Sequence, residues 1–406
     1  MIAKLACRIN KSRIRSNTPQ SLYACIEIQP SGEPSGEGVH YCFLIDHSGS
    51  MAGSKYQTAR ETAAKFCESL RPQDHVSVIE FSDKAEVLCS ASGNERKRIA
   101  QTIRKRRFGL RASLLGAATD MYAGLLRGFQ LLNQVQLPAR IMLLTDGKPT
   151  KGITDVDSFV GIAKRIREKK GTIIALGIGR DYNEDLLAAL SLASDGRWYH
   201  ISDAGEIGDI LAKEMSLSQT IVYFAPELLL SLLNGCRLTE AYRIGESLAE
   251  AKWRESDGHL AFPLEDLRYG AKYTLALKLD LQPLKEGEFT LMTASLLDSE
   301  EKLTIRSERQ PQEPAETDPY PRALFTLAQA SVLSREAVND PTKVKGVREL
   351  VQTVMKDPTA LTEVRRNPEL MVLGSTIIGV AETIVKGGLT EEDKKKLKEK
   401  TTVRRI

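Results

Sequence analysis

Residues 41–45, Tyr-Cys-Phe-Leu-Ile, constrain the fold of this chain more than any other stretch. The run is apolar without alternation, which is typical of a strand buried on both faces in the middle of a parallel sheet. It stops at Asp46, and Ser48 and Ser50 follow at every second position. A carboxylate and two hydroxyls at the carboxyl end of a buried strand offer hard oxygen ligands to a divalent cation such as Mg²⁺. That edge of an open α/β sheet is also where ligands bind.

Two later segments carry oxygen donors at comparable places. Thr119 and Asp120 directly precede a segment with helical apolar periodicity, and Asp146 follows a second apolar strand at residues 141–145. Each residue taken alone is also what turns and helix N-caps use, so single features indicate little. Their significance lies in their order along the chain, which matches the pattern of a known family.

This pattern resembles the metal-ion-dependent adhesion site (MIDAS) of von Willebrand factor A (vWA) domains. The resemblance implies that two serines and a threonine contact Mg²⁺ or Mn²⁺ and that two aspartates hold it directly or through water. It also implies an open coordination position that an Asp or Glu of a partner protein fills. The residues that match the motif are Asp46, Ser48, Ser50, Thr119 and Asp146.

The sequence departs from the family pattern in one place. Gly-Gly often precedes the threonine, whereas this chain has Ala117 and Ala118, a change that removes no ligand. Further along, Gly177-Ile178-Gly179 resembles the last third of vWA domains. It does not indicate a dinucleotide site, because the third glycine is missing and the strand comes late in the domain.

Residues 39–217 alternate between short apolar strands and amphipathic helices. This alternation predicts a Rossmann-like α/β domain, with a mostly parallel sheet and helices on both faces. We expect the strand at 85–88 to be an antiparallel edge. The predicted strands are residues 41–45, 76–81, 85–88, 141–145, 172–178 and 198–201.

The segments on either side of this domain predict β-structure. Residues 1–38 contain two predicted strands, and two strands alone are not stable. We therefore predict one discontinuous β-sandwich built from residues 1–38 plus 218–310, with the vWA domain inserted. Residues 319–406 contain three amphipathic helices, which predicts a C-terminal helical bundle. The flanking strands are predicted at 4–9, 22–28, 219–224, 237–244, 273–281, 289–297 and 302–307.

Composition limits the partners and the compartment. The chain has 57 Lys and Arg against 53 Asp and Glu, so its overall charge implies no nucleic-acid or membrane partner. The first residues lack the apolar core of a signal peptide, and no run reaches the roughly 18 apolar residues of a membrane span. The six cysteines have no metal-ligand spacing, although their even number leaves a disulfide possible. We expect a cytoplasmic protein with reduced cysteines.

Signals for catalysis are weak. Asp46, His47 and Ser48 are sequence neighbours whose side chains diverge, so they cannot form a nucleophilic relay. We therefore expect no enzyme but a metal-dependent protein–protein interaction module. A metal-dependent hydrolase is one alternative, and it predicts turnover with Mg²⁺ that Asp46→Ala abolishes. An RNA-binding scaffold is the other, and it predicts salt-dependent RNA binding.

A dense basic cluster precedes the Thr119 segment. We expect residues 95–105 to form an exposed helix with a narrow apolar stripe at Ile99 and Ile103. This cluster is a solvated helix face or a surface that steers an acidic partner toward the metal. The residues proposed to contact the partner are Arg104, Lys105, Arg106 and Arg107, and the wider cluster adds Arg96, Lys97, Arg98 and Arg111.

Overall fold

The computed structural model describes residues 3–106, 118–245, 248–296, 302–312, 315–386, 393–394 and 397–398. The chain forms two compact units. The inserted domain is the continuous unit Pro34–Phe224, and the two-sheet unit combines Met1–Glu33 with Ala225–Ile406. The sequence analysis places the limits of the insertion at residues 39 and 217.

The inserted domain alternates between strands and helices, as its sequence predicts. Three strands come before it: β1 (Ala3–Ile9), β2 (Arg13–Arg15) and β3 (Gln20–Pro30). Its own strands are β4 (His40–Asp46), β5 (His75–Phe81), β6 (Ala85–Ser92), β7 (Ala139–Thr145), β8 (Gly171–Ile178), β9 (Arg197–Ile201) and β10 (Ile221–Tyr223). Its described helices are α1 (Ser54–Glu68), α2 (Arg96–Lys105), α3 (Met121–Val135), α4 (Val156–Glu168), α5 (Glu184–Ala193) and α6 (Ile207–Gln219).

Six of these strands form one sheet in the order β6-β5-β4-β7-β8-β9. All neighbours are parallel except β5 and β6, so the predicted antiparallel edge strand is confirmed, and it extends to Ser92. Strand β4 lies between β5 and β7 at the middle of the sheet. The motif residues that follow β4 therefore emerge at the centre of the carboxyl edge.

The position of β4 explains its uninterrupted apolar run. Tyr41, Phe43 and Ile45 belong to a core with residues of α1, α2 and α6. Cys42 and Leu44 point to the opposite face and belong to a core with α3, α4 and α5. Because successive strand residues alternate between faces, a strand covered by helices on both sides has to be apolar at every position.

The two-sheet unit joins strands that are far apart in sequence. After the insertion come β11 (Glu227–Leu232), β12 (Cys236–Ile244), β13 (Leu248–Glu250), β14 (Arg254–Ser256), β15 (His259–Pro263), β16 (Leu267–Arg268), β17 (Tyr273–Leu281), β18 (Gly287–Leu296) and β19 (Lys302–Gln310). One sheet has the order β1-β3-β17-β12-β13 and the other has the order β14-β15-β11-β18-β19-β2. Strand β3 pairs antiparallel with β17, from Tyr273 opposite Ile28 to Leu281 opposite Gln20. The predicted pairing of the amino-terminal strands with the later region is confirmed.

The strand prediction at 219–224 was wrong at its start. Helix α6 continues through Gln219, because Leu211, Met215 and Ser218 extend its buried stripe. The short strand β10 begins only at Ile221. Strands β2 and β11 were missed because they depend on distant pairing partners rather than on local pattern. Strands β13 to β16 were also missed, since they are only two to five residues long.

The C-terminal region has four described helices where the sequence predicts three. They are α7 (Tyr320–Asn339), α8 (Val344–Lys356), α9 (Pro358–Arg366) and α10 (Pro368–Lys386). The missed helix, α9, has the usual start signals: Asp357 accepts hydrogen bonds from Thr359 and Ala360, and Pro358 is the first residue.

These helices pack on the five-stranded sheet and share its core. The ring of Phe325 in α7 lies 5.3 Å from Tyr23 and 5.1 Å from Tyr242, measured between centroids. Among the described residues no single helix is long and apolar enough to span a membrane, and only α9 and α10 together, as a bent pair, have the length and composition. All six cysteines are free thiols.

Candidate metal site at the carboxyl edge of the inserted domain

Two aspartates end neighbouring strands of the inserted domain. Strands β4 and β7 pair in parallel as far as Ile45 and Leu144. Asp46 is the last residue of β4, and Asp146 directly follows β7. Because parallel neighbours end at the same edge of a sheet, both carboxylates lie at the carboxyl edge.

Asp46 is completely buried and held by two hydrogen bonds. The Ser48 N–H donates to Asp46 Oδ1 at 2.8 Å, and Thr145 Oγ1 donates to Asp46 Oδ2 at 2.6 Å. Burial raises the pKa of the Asp46 carboxyl, and these hydrogen bonds from Thr145 and Ser48 oppose the rise. The role of Thr145 was not predicted, although a hydroxyl at the end of an apolar strand beside Asp146 was an available signal.

The motif serines connect the two aspartates. Ser50 Oγ donates to Asp146 Oδ1 at 2.7 Å. The hydroxyls of Ser48 and Ser50 lie 3.1 Å apart, within hydrogen-bond distance. Asp146 is 2% exposed, so the second carboxylate is buried as well.

Thr119 reaches the same place from the start of α3. Its N–H donates to Thr150 Oγ1 at 2.9 Å, and its carbonyl accepts from the Thr150 N–H at 3.0 Å. A Cβ built on Gly147 would lie 3.8 Å from Ser50 Oγ, 3.9 Å from Thr119 Oγ1 and 4.0 Å from Asp46 Oδ2. Three separate segments of the chain therefore direct oxygens toward one point beside Gly147, where any larger residue would occupy the space.

The converging groups form an all-oxygen donor set. Two are carboxylates and three are hydroxyls, and hard cations such as Mg²⁺ or Mn²⁺ favour such ligands. Within the described ranges no cluster of three or more His, Cys, Asp or Glu is suited to a metal, so softer transition-metal sites are not indicated there. The residues present fit a hard divalent cation: Asp46, Ser48, Ser50, Thr119 and Asp146.

A lysine that the sequence analysis did not consider also contacts the site. Lys55 lies in the first turn of α1, and its Nζ donates to Asp146 Oδ2 at 2.5 Å. Its side chain is 37% exposed, while Asp146 is buried. The sequence offered only a weak signal, since a lysine near a helix start is ordinarily a solvated surface residue.

His47, inside the motif, points to a different cluster. Its Nδ1 lies 3.9 Å from Glu80 Oε2, and its ring packs against Tyr56 at 5.0 Å between centroids. Glu80 also accepts a hydrogen bond from the Tyr56 hydroxyl and one from Arg106 Nε at 2.9 Å. Burial lowers the pKa of His47. The expectation that His47 points away from the metal ligands agrees with this geometry.

The basic helix pairs part of its charge within the protein, at Arg98 and Arg104. Helix α2 buries Ile99, Ala100 and Ile103, so its apolar stripe faces the core and only its basic sides reach solvent. Arg104 binds Glu61 at 3.0 Å and Glu68 at 2.5 Å.

The remaining residues of the proposed partner surface differ in their contacts. Arg106 contacts Glu80 and Glu86, both at 2.9 Å, and Lys105 is exposed. Arg107 and Arg111, like Ala117, lie outside the described residues.

An open, mostly parallel sheet with helices on both faces and an oxygen-donor cluster at its carboxyl edge defines a class of ligand-binding α/β domain. Residues 42–213 match the model of the von Willebrand factor type A domain family. The chain therefore contains a vWA domain, which confirms the resemblance to that domain family. Domains of this family commonly mediate metal-dependent protein–protein interaction.

Curated relatives match about two fifths of this chain. Human inter-alpha-trypsin inhibitor heavy chain H1 is 29% identical over 163 residues, which is 38% of this chain and 18% of the relative. A protein from Synechocystis, designated sll0103, is 29% identical over 170 residues, which is 41% of this chain and 39% of that protein. The chain thus matches less than a fifth of the heavy chain and about two fifths of the cyanobacterial protein.

Solved structures share the fold over the whole length. A von Willebrand factor type A protein from Catenulispora acidiphila superposes with a TM-score of 0.71 at 15% identity, covering 100% of this chain and 98% of the other. The ArnB paralog VWA2 from Sulfolobus acidocaldarius gives 0.60 at 19% identity, covering 99% and 97%. The similarity of fold therefore extends beyond the vWA domain to the two-sheet unit and its helices.

Proposed function

We propose that the inserted domain binds a partner protein through a divalent metal, Mg²⁺ or Mn²⁺. One observation carries the proposal: buried carboxylate and hydroxyl oxygens from β4, α3 and β7 converge beside Gly147. When bound, the metal would supply a positive charge to which an Asp or Glu of the partner would bind. The chain's own residues hold that charge in place, because each donor is fixed by backbone or side-chain hydrogen bonds.

The arrangement supports binding rather than catalysis. Hydrolases that use a metal commonly place a general base beside the water that the metal activates. The histidine nearest in sequence, His47, is directed toward Glu80 and Tyr56. The relatives that match the domain include inhibitor heavy chains, which also favours a non-enzymatic role.

The metal half of the proposal is testable with melting curves. At a hundredfold excess of Mg²⁺ over its dissociation constant, binding stabilises the native protein by about 2.7 kcal/mol. We expect Asp46→Asn to abolish this gain while preserving the shape of the side chain and one of its two hydrogen-bond acceptors. Asp120→Ala is the matched control, since Asp120 caps α3 by accepting from the Ala123 N–H at 2.9 Å.

The control variant should be destabilised by about 1 kcal/mol, as for other N-caps, yet keep its response to metal. A wild-type protein that melts identically in Mg²⁺, in Mn²⁺ and in chelator would refute the metal site. The partner half is tested once a partner is isolated: binding should require metal, and it should disappear when one acidic residue of the partner is replaced by alanine.

The basic segment contributes to the proposal through Lys105. Arg104 and Arg106 are paired with carboxylates of the same domain, which reduces their attraction for an approaching acidic protein. Lys105 is exposed beside them. We propose that Lys105, with Arg104, Arg106 and Arg107, lines the approach of an acidic partner and acts on the association rate.

A further inference from the structure

The contact between Lys55 and Asp146 places a fixed positive charge inside the candidate metal site. Lys55 Nζ lies 2.5 Å from Asp146 Oδ2. A Cβ on Gly179, which follows β8, would lie 3.8 Å from the same nitrogen. The ammonium group therefore sits at the carboxyl edge of the sheet, beside the oxygens that converge on Gly147.

Without the lysine, neither carboxylate at this edge has a cation beside it among the described residues. Asp46 is fully buried and Asp146 is 2% exposed, so two carboxylates are removed from water. Buried like charges repel each other and lose their hydration. Among the described residues, Lys55 is the cation that forms an ion pair with either carboxylate. It reduces the formal charge of the pair from −2 to −1.

We infer that Lys55 is a resident counter-cation that stabilises the metal-free site and lowers its affinity for divalent metal. This inference rests on the proposed function, because it concerns the same metal site. Without metal, the ammonium compensates the buried carboxylate of Asp146. When a divalent cation enters, the same ammonium repels it at short range, where the surroundings screen charge weakly.

The consequence for partner binding follows from charge. The lysine and a divalent metal together carry more positive charge than the two aspartates carry negative charge. A partner that presents a carboxylate supplies the missing negative charge. Metal binding at this site should therefore depend on the partner more strongly than it would at a site whose two aspartates had no lysine beside them. By linkage, the partner and the metal strengthen each other's binding by the same factor.

Replacement of the lysine separates its charge from its packing. Lys55→Met keeps the length of the side chain and removes the charge, whereas Lys55→Arg keeps the charge. Lys148→Met is the matched control, because Lys148 is an exposed lysine two residues after Asp146 with no ion pair to either aspartate among the described contacts. Metal affinity is measured on the full chain by calorimetric titration with Mg²⁺ and by the electron paramagnetic resonance signal of free Mn²⁺.

We expect Lys55→Met to bind metal about tenfold more tightly, which is a modest result for the loss of one charge at short range. Lys55→Arg and Lys148→Met should bind like the wild type. In chelator, Lys55→Met should melt below the wild type, and saturating Mg²⁺ should remove or reverse that difference. This change in the relative melting temperatures of the two proteins is a second readout, and it requires no partner.

The outcomes distinguish this inference from the proposed function. If the wild type binds neither Mg²⁺ nor Mn²⁺, the metal site itself is refuted. If the wild type binds metal and Lys55→Met binds with unchanged affinity, the site stands and the role of Lys55 is refuted. Weaker binding by Lys55→Met would overturn the inference in the other direction, because it would show that the lysine orients Asp146 as a ligand.

Discussion

The two compact units bury charge in different ways. In the inserted domain Glu80, 3% exposed, contacts Tyr56 and Arg106, and Asp146 contacts Ser50 and Lys55. In the two-sheet unit Arg309 of β19 is 2% exposed, and none of its three guanidinium nitrogens has a hydrogen-bond partner among the described residues. Buried charge is thus compensated at Glu80 and Asp146 of the inserted domain, whereas the buried guanidinium of Arg309 in the two-sheet unit has no hydrogen-bonded partner among the described residues.

The units also differ in how the chain assembles them. Each strand of the inserted domain's main sheet comes from one continuous segment, Pro34–Phe224. The two-sheet unit pairs β3 with β17, so residues about 250 positions apart form one ladder, such as Gln20 opposite Leu281. Closing such a distance costs loop entropy before the contacts form, although the folded insertion shortens the effective loop. A continuous unit should therefore tolerate damage to the amino terminus that the discontinuous unit cannot.

Deletion of residues 1–30 gives the largest expected effect. It removes β1 and β3, exposes the edge of β17 and takes Leu22 and Ile26 out of a core. We expect aggregation or loss of cooperative unfolding in the two-sheet unit, measured by light scattering and calorimetry. The inserted domain should keep its own transition, since its described cores contain no residue before Val39. A soluble truncated protein that melts like the full chain would show that the amino-terminal strands are dispensable.

Arg309→Met tests the uncompensated charge. The guanidinium has an aromatic neighbour in Phe289, 6.0 Å away, which offsets part of the cost of burial. Replacing a buried charged group by an apolar side chain of similar length should stabilise the protein by about 2 kcal/mol. The measurement is urea unfolding. Arg306→Met, an exposed arginine on the same strand, is the matched control and should change little. Marked destabilisation by Arg309→Met would mean that Arg309 binds an anion in solution.

The parts of the fold that sequence predicted are those set by local pattern. The apolar run of β4 required helices on both faces, and the cores around Phe43 and Leu44 show them. Strand β11 was missed because its pairing partners, β15 and β18, lie about 30 to 70 positions downstream, with Leu228 opposite Phe262 and Leu296. Its Leu-rich segment has no distinctive local pattern, so pairing rather than propensity decides it.

The residues of the candidate site likewise divide into those that the sequence predicted and those that it did not. Asp46, Ser48 and Ser50 were predicted because strand ends and residue spacing place them, and Thr119 and Asp146 followed from the family pattern. Thr145 and Lys55 were not predicted. Their roles depend on side-chain contacts across segments, with Thr145 reaching Asp46 and Lys55 reaching Asp146. Such contacts leave no periodic trace in a sequence.

The smallest expected effect concerns two neighbouring arginines that sequence alone treats as equivalent. Arg106 pairs with the buried Glu80, whereas Arg104 pairs with Glu61 and Glu68, which are more than 40% exposed. Removing a partner from a buried carboxylate costs more than removing one from carboxylates that water already solvates. Because the Arg106 side chain is itself 36% exposed, we expect Arg106→Gln to lower the free energy of unfolding by only about 1 kcal/mol.

Arg104→Gln is the matched comparison, and its urea midpoint should stay within experimental error of the wild type. The difference matters for the proposed approach surface. If Arg106→Gln lost partner binding, the experiment would not separate reduced electrostatic steering from reduced stability of the protein. Lys105→Gln avoids that problem, since Lys105 is exposed. Equal destabilisation by Arg104→Gln and Arg106→Gln would show that the burial of Glu80 does not set the strength of its ion pair with Arg106. It would also mean that Arg106 is no more important to the structure than the surface residue Arg104.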